Sequence, residues 1–140
     1  MQNVKRKNGV STMVVGASAV VALLLGPGAH AQAGAACKAD GAVAETNACA
    51  VQAFQAADTQ IAILYGDVMR ALSAHERPQL RQEQSAWQRE RTTRCKQTTR
   101  ATEQQPDGPR LYNECLTTET EARRQGLMRW LTLDHPSAKP

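Results

Sequence analysis

Aromatic residues are scarce in this chain: one Phe, two Tyr and two Trp among 140 residues. So few rings make a poor platform for stacking bases, which argues against a nucleic-acid partner. Histidine is nearly absent too. His30, His75 and His135 stand alone, and the cysteines form no C-x-x-C pair, so there is no zinc or haem motif. G-x-S-x-G, a cysteine–histidine neighbour pattern and a Gly-rich phosphate loop are all missing. The carboxylates show no spacing that selects an acid/base pair. These absences argue against an enzyme and against a resident cofactor or metal. No stretch alternates with the period of two that marks a strand, and no segment repeats. The main apolar run, Met13–Leu25, has thirteen residues (25 − 13 + 1), too short to span a bilayer comfortably.

That run follows Lys5, Arg6 and Lys7 and stops before Gly26-Pro27-Gly28, and Ala29-His30-Ala31 then offers a small-x-small cleavage site. This layout predicts a secretory signal peptide over 1–31, with Ala31-Gln32-Ala33 as a second cleavage site. The alternative, an N-terminal membrane anchor, needs a longer apolar run. Acylation at Cys37 fits poorly, because Gly34-Ala35-Ala36 lacks the large aliphatic residue and the apolar run ends far upstream. Cleavage leaves 109 residues (140 − 31), one small domain. Three of the seventeen Lys and Arg leave with the leader while all thirteen acids stay, so the net charge of +4 falls to about +1 (14 − 13). Whole-chain basicity therefore says little about nucleic acid or anionic membranes. The expected setting is periplasmic or secreted, with no stable membrane insertion after cleavage.

Cys37, Cys49, Cys95 and Cys115 all lie beyond the leader. An even count in a small exported chain reads as two disulfides. Of the three pairings, Cys37–Cys49 and Cys95–Cys115 close short local loops and are favoured, each adding roughly 3 kcal/mol through loop-closure entropy.

Periodicity predicts three helices. The first, about Glu45 to Leu72, carries the stripe Ala50, Phe54, Ala57, Ile61, Leu64, Val68 and Leu72, with Tyr65 and Asp58 at its margins. Gly66 predicts a local kink there. Ser73 and Glu76 fit a capping box, and Pro78 sets a second helix starting near Glu76 or Arg77 and running to about Ala101. Glu103–Pro109 reads as a loop. A third helix, about Arg110 to Leu131, places Tyr112, Leu116, Leu127 and Trp130 on one face, with Thr120 and Arg123 in it. A Cys95–Cys115 bond would clamp the last two helices as an antiparallel hairpin. The predicted architecture is a small all-α disulfide-bonded bundle over residues 32–133, followed by a flexible tail over 134–140.

One helical face is chemically mixed. Leu80, Gln84, Trp87, Arg91 and Cys95 share a narrow arc. Arg91, Arg123 and Gln84 sit on faces otherwise built for burial, and an unpaired buried guanidinium is too costly to keep. Pairing of Arg91 or Arg123 with Asp58, with Gln84 bonding nearby, is one expectation. The other is that the arginine stems cover the core while their heads reach water. Arg89, Arg94, Lys96 and Arg100 read as a solvated face diluted by Glu83 and Glu90.

These spacings resemble the lysozyme inhibitor LprI-like family of bacterial envelope proteins. The resemblance begins at Cys37 and Cys49 and continues through Ala57, Asp58, Ile61 and Tyr65. Its specific part is L-x-x-x-Q-x-x-W-x-x-x-R-x-x-x-C, filled by Leu80, Gln84, Trp87, Arg91 and Cys95. Cys115, Thr120, Arg123 and Leu127 close it. The chain departs at Ile61, where the family often has Leu, at Ala62, where it often has Asn, and in lacking a double-glycine turn between Cys95 and Cys115. The resemblance implies a secreted helical domain without catalysis or cofactor, and inhibition of lysozyme-type muramidases by occlusion of the catalytic cleft. Lysozyme cleaves glycan with two carboxylates in a cleft. It is usually basic, so acidic or polar groups on a protruding loop suit an inhibitor. Glu103–Arg110, with Glu103 and Asp107, is the first candidate loop; the acid-rich Asp40–Asp67 region is the second. The signature residues read as scaffold. The partner is lysozyme or another envelope protein, and an envelope interaction module without inhibition is the competing reading.

Overall fold

The structure, a computed structural model, describes residues 34–132; the expected leader over 1–31 and the tail over 134–140 lie outside them. Three helices form, with no strand among the described residues: α1 (Val43–Ala71), α2 (Arg77–Thr98) and α3 (Gly108–Arg129). A 3-10 turn, Arg100–Thr102, sits between α2 and α3. The all-α bundle and both short-loop disulfides are present, Cys37–Cys49 with Cα atoms 4.4 Å apart and Cys95–Cys115 with Cα atoms 5.7 Å apart. The largest shift from the sequence reading is at the hairpin. The chain leaves α-geometry at Thr98 and α3 starts at Gly108, so the loop proper shrinks to residues 103–107.

Local chemistry sets the ends. The Ala42 N–H donates to Glu45 Oε2 at 2.7 Å, satisfying a donor at the start of α1. Leu72 is extended (ψ 150°), which stops the helix. The Ser73 N–H then donates to Glu76 Oε2 at 2.9 Å, and the Glu76 N–H to Ser73 Oγ at 3.4 Å, the reciprocal pair of a capping box. Arg77 turns back, and its Nε donates to the Met69 and Leu72 carbonyls at 3.0 Å each, covering open acceptors at the end of α1. Pro78 occupies the first turn of α2, where its missing N–H costs nothing.

The α1 stripe buries Ile61, Val68 and Leu72 against Leu80 of α2 and Leu127 and Trp130 near the end of α3. Leu64, Tyr65, Met69 and Trp87 pack around this cluster. α1 lies closest to α3, whereas the backbones of α1 and α2 stay apart and long side chains bridge them. α1 continues as a helix through Gly66. A Cβ there would meet only the end of Arg70, at 3.5 Å, so no packing contact requires the glycine.

Candidate functional site

The mixed face of α2 turns inward. Leu80 and Cys95 are fully buried, Gln84 and Arg91 nearly so, and Trp87 half-buried. Arg91 Nη1 donates to Asp58 Oδ1 on α1 at 2.7 Å and to Thr120 Oγ1 on α3 at 2.7 Å. The Thr120 hydroxyl donates in turn to the Leu116 carbonyl at 2.6 Å. One guanidinium thus joins all three helices. The second does related work: Arg123 Nε donates to Gln84 Oε1 at 2.9 Å, and its Nη1 to Glu83 Oε1 at 2.7 Å. The other Glu83 oxygen accepts from Trp130 Nε1 at 2.9 Å. Both guanidiniums lie over Trp87, at 4.7 Å for Arg91 and 5.4 Å for Arg123, and Arg91 also lies over Phe54 at 5.1 Å. Such contacts contribute about 0.5–2 kcal/mol each. They also face guanidiniums whose Arg91 Nε and Arg123 Nη2 have no hydrogen-bond acceptor among the described residues.

Burial in these pairs is one-sided. The side chains of Arg91 and Arg123 are 9% and 7% exposed, whereas Asp58 and Glu83 keep 47% and 35%. The cations are sealed in, and the acids reach water. Gly126 belongs to this arrangement, because a Cβ there would come within 3.0 Å of Arg123 Nη1. The sequence reading placed Glu83 on a solvated face; the structure makes it the partner of Arg123 and of the Trp130 indole. Two guanidiniums on burial faces need two acids, and Asp58 is only one. That count was the available signal. Asp58, Tyr65 and Gln84 also border a shallow groove of about 260 Å³ between α1 and α2, beside Arg81.

The clamped turn is the other place where predicted residues gather. Its closure has a steric cause: a Cβ on Gly108 would sit 2.4 Å from the Thr102 carbonyl oxygen and 2.9 Å from that of Glu103. Only glycine allows α3 to begin so close to the 3-10 turn. Asn47 Nδ2 on α1 donates to the Pro106 carbonyl at 2.9 Å, which holds the tip of the loop to the bundle. Asp107 is paired with Arg110 at 3.0 Å, and Arg110 also bonds Glu114 at 2.8 Å. The hydrogen bond and charge of Glu114, followed by those of Asp107, raise the Arg110 pKa above its ordinary value. Glu103 is exposed and has no ion-pair partner among the described residues. Of the two candidate acids on the loop, Asp107 is therefore engaged and Glu103 is open. In the second region, Glu45 is engaged with the Ala42 N–H, Asp58 with Arg91 and Asp67 with Arg70, which leaves Asp40. A cavity of about 570 Å³ lies between the end of α2 and the start of α3, bordered by Lys96, Arg100, Glu103 and Tyr112.

Among the described residues, no His, Cys, Asp and Glu group is arranged to hold a metal ion, and no helix is long and apolar enough to cross a membrane. Residues 34–127 match the family described as lysozyme inhibitor LprI. The chain belongs to the LprI family. The matched LprI segment is 94 residues (127 − 34 + 1) of 140 and takes in both disulfides, the clamped turn and, except for Trp130, every residue of the Arg91 and Arg123 network, a polar tie across the helices. LprI is named as an inhibitor family, not a catalytic one. No curated protein and no solved structure matches the chain.

Proposed function

We propose that this LprI-family protein is exported and inhibits lysozyme-type muramidases without catalysis, by lodging its clamped turn in their catalytic cleft. The observation that carries this reading is the fixed geometry of residues 103–107. A disulfide behind the turn, the Gly108 contact and the Asn47–Pro106 hydrogen bond all order it before any partner arrives. An element ordered in advance avoids the entropy that a floppy loop loses on binding. Glu103 supplies the turn's open negative charge toward a basic partner. The leader pattern over 1–31 and the two disulfides support a periplasmic or secreted location. The second reading, an envelope module that binds wall material or a protein without inhibiting, draws on the cavity beside the turn.

The test is the clearing of a cell-wall suspension by lysozyme with the disulfide-intact protein added. The expected result is slower lysis that grows with added protein and levels off near one equivalent. Unchanged lysis at micromolar excess would exclude inhibition of the lysozymes tried.

A further inference from the structure

We infer that the cavity between the end of α2 and the start of α3 binds a monoanionic amino sugar, a carboxylated residue of the cell-wall glycan. The cell-wall source rests on the export reading above; the ligand chemistry rests on the cavity. Its volume, about 570 Å³, falls in the range of small-ligand sites and suits a single sugar ring with substituents. Lys96 and Arg100 border it, both exposed and neither with an acidic partner among the described residues. They differ in this from Arg91, Arg94, Arg110 and Arg123, each of which meets a carboxylate. Glu103 also borders the cavity and brings its formal charge to +1 (2 − 1), which matches a single carboxylate better than a dianionic phosphate.

The rest of the lining suits a hydroxyl-rich ring. Tyr112 presents an aromatic side chain, and Gln97 contributes an amide; neither the hydroxyl nor the amide has a hydrogen-bond partner among the described residues. Asn113 donates through Nδ2 to the Pro109 carbonyl at 2.8 Å, which orients its Oδ1 as an acceptor. An aromatic side chain, two amides and a paired cationic edge provide apolar contact, hydroxyl recognition and a carboxylate clamp in one place. Lys96 and Arg100 also lie near the C-terminal end of α2, where positive charge is favourable for the helix itself. The test must therefore separate ligand binding from helix stability.

The experiment is a chemical-shift titration of the oxidised protein alone with N-acetylmuramic acid, N-acetylglucosamine and lactate. N-acetylmuramic acid is expected to saturate in the millimolar range, with shifts centred on Lys96–Arg100 and Tyr112–Asn113. The neutral sugar and lactate should each bind about tenfold more weakly, since each lacks half of the recognised chemistry. In Lys96→Gln/Arg100→Gln, affinity for the acid should fall about tenfold to that of the neutral sugar. Equal affinity for acid and neutral sugar, lactate binding as tightly as the acid, shifts centred elsewhere, no saturation, or an unaffected double variant would each overturn the proposal. The comparison of three ligands on the unaltered protein stands even if the double variant is unstable. No lysozyme is present, so failure here and failure of inhibition are read separately.

Discussion

At the middle of the bundle, Arg91 and Arg123 are sealed from water, and each meets a carboxylate, a neutral acceptor and an aromatic face. At the clamped end, Lys96, Arg100 and Glu103 are exposed and share a cavity without pairing. The two regions use the same residue types in opposite ways. In the first, both guanidiniums are buried against partners within the protein, so burial, and not a full set of hydrogen bonds, keeps them from a ligand. In the second, the backbone is fixed by covalent and steric means, and the side chains are left with capacity to spare. Conspicuous residues in a sequence can thus mark the scaffold, while the surface proposed to act is built from ordinary ones.

The comparison breaks most visibly at Glu83. Glu83→Ala leaves the buried Arg123 guanidinium with Gln84 as its one remaining hydrogen-bond acceptor and removes the carboxylate that accepts from the Trp130 indole N–H, at an expected cost of about 3–4 kcal/mol in chemical denaturation. Loss of the Cys95–Cys115 bond, in a double Cys→Ala variant, should cost roughly 3 kcal/mol for a separation of 20 residues, and should loosen amide protection in residues 99–107 more than elsewhere. Asp58→Ala should cost about 2 kcal/mol, less than Glu83→Ala: each arginine keeps one acceptor, Thr120 or Gln84, but Glu83 also accepts from the Trp130 indole and is the less exposed acid. A larger loss for Asp58 than for Glu83 would contradict this ranking by lost partners. Gly66 and Gly126, in helix interiors, sharpen the picture at the small end. Gly66→Ala should stabilise by about 0.5–1 kcal/mol, since open helix surface gains propensity. Gly126→Ala should gain less or lose, because its Cβ crowds the Arg123 end that Glu83 holds.

Much of this fold is legible before any coordinates. The α1 stripe, the Ser73–Glu76 box and Pro78 are local signals, and local signals survive into the structure with ends shifted by a few residues. α1 runs unbroken through Gly66, since a glycine removes side-chain support without removing the backbone hydrogen bond. The polar tie was half legible. Burial demanded a partner for each arginine, and Asp58 was in reach of the argument. Glu83 was not, because its neighbours in sequence are polar and charged and its partner lies forty residues away. The state of Asp107 was hidden for a simpler reason: composition marks a loop as polar but does not say which of its charges already pair with Arg110.

The central claim is that inhibition resides in the clamped turn and not in the signature residues behind it. Its most direct test is the lysozyme clearing assay on Glu103→Lys and Asp58→Ala, both at a temperature where far-UV and near-UV spectra show native folding. Glu103 is exposed, so its substitution should change stability by less than about 0.5 kcal/mol yet weaken inhibition about tenfold or more. Asp58→Ala, once folded, should inhibit as the unaltered protein does. Full inhibition by Glu103→Lys, or its loss in folded Asp58→Ala, would contradict the account and move the inhibitory contact to the face of α1 and α2.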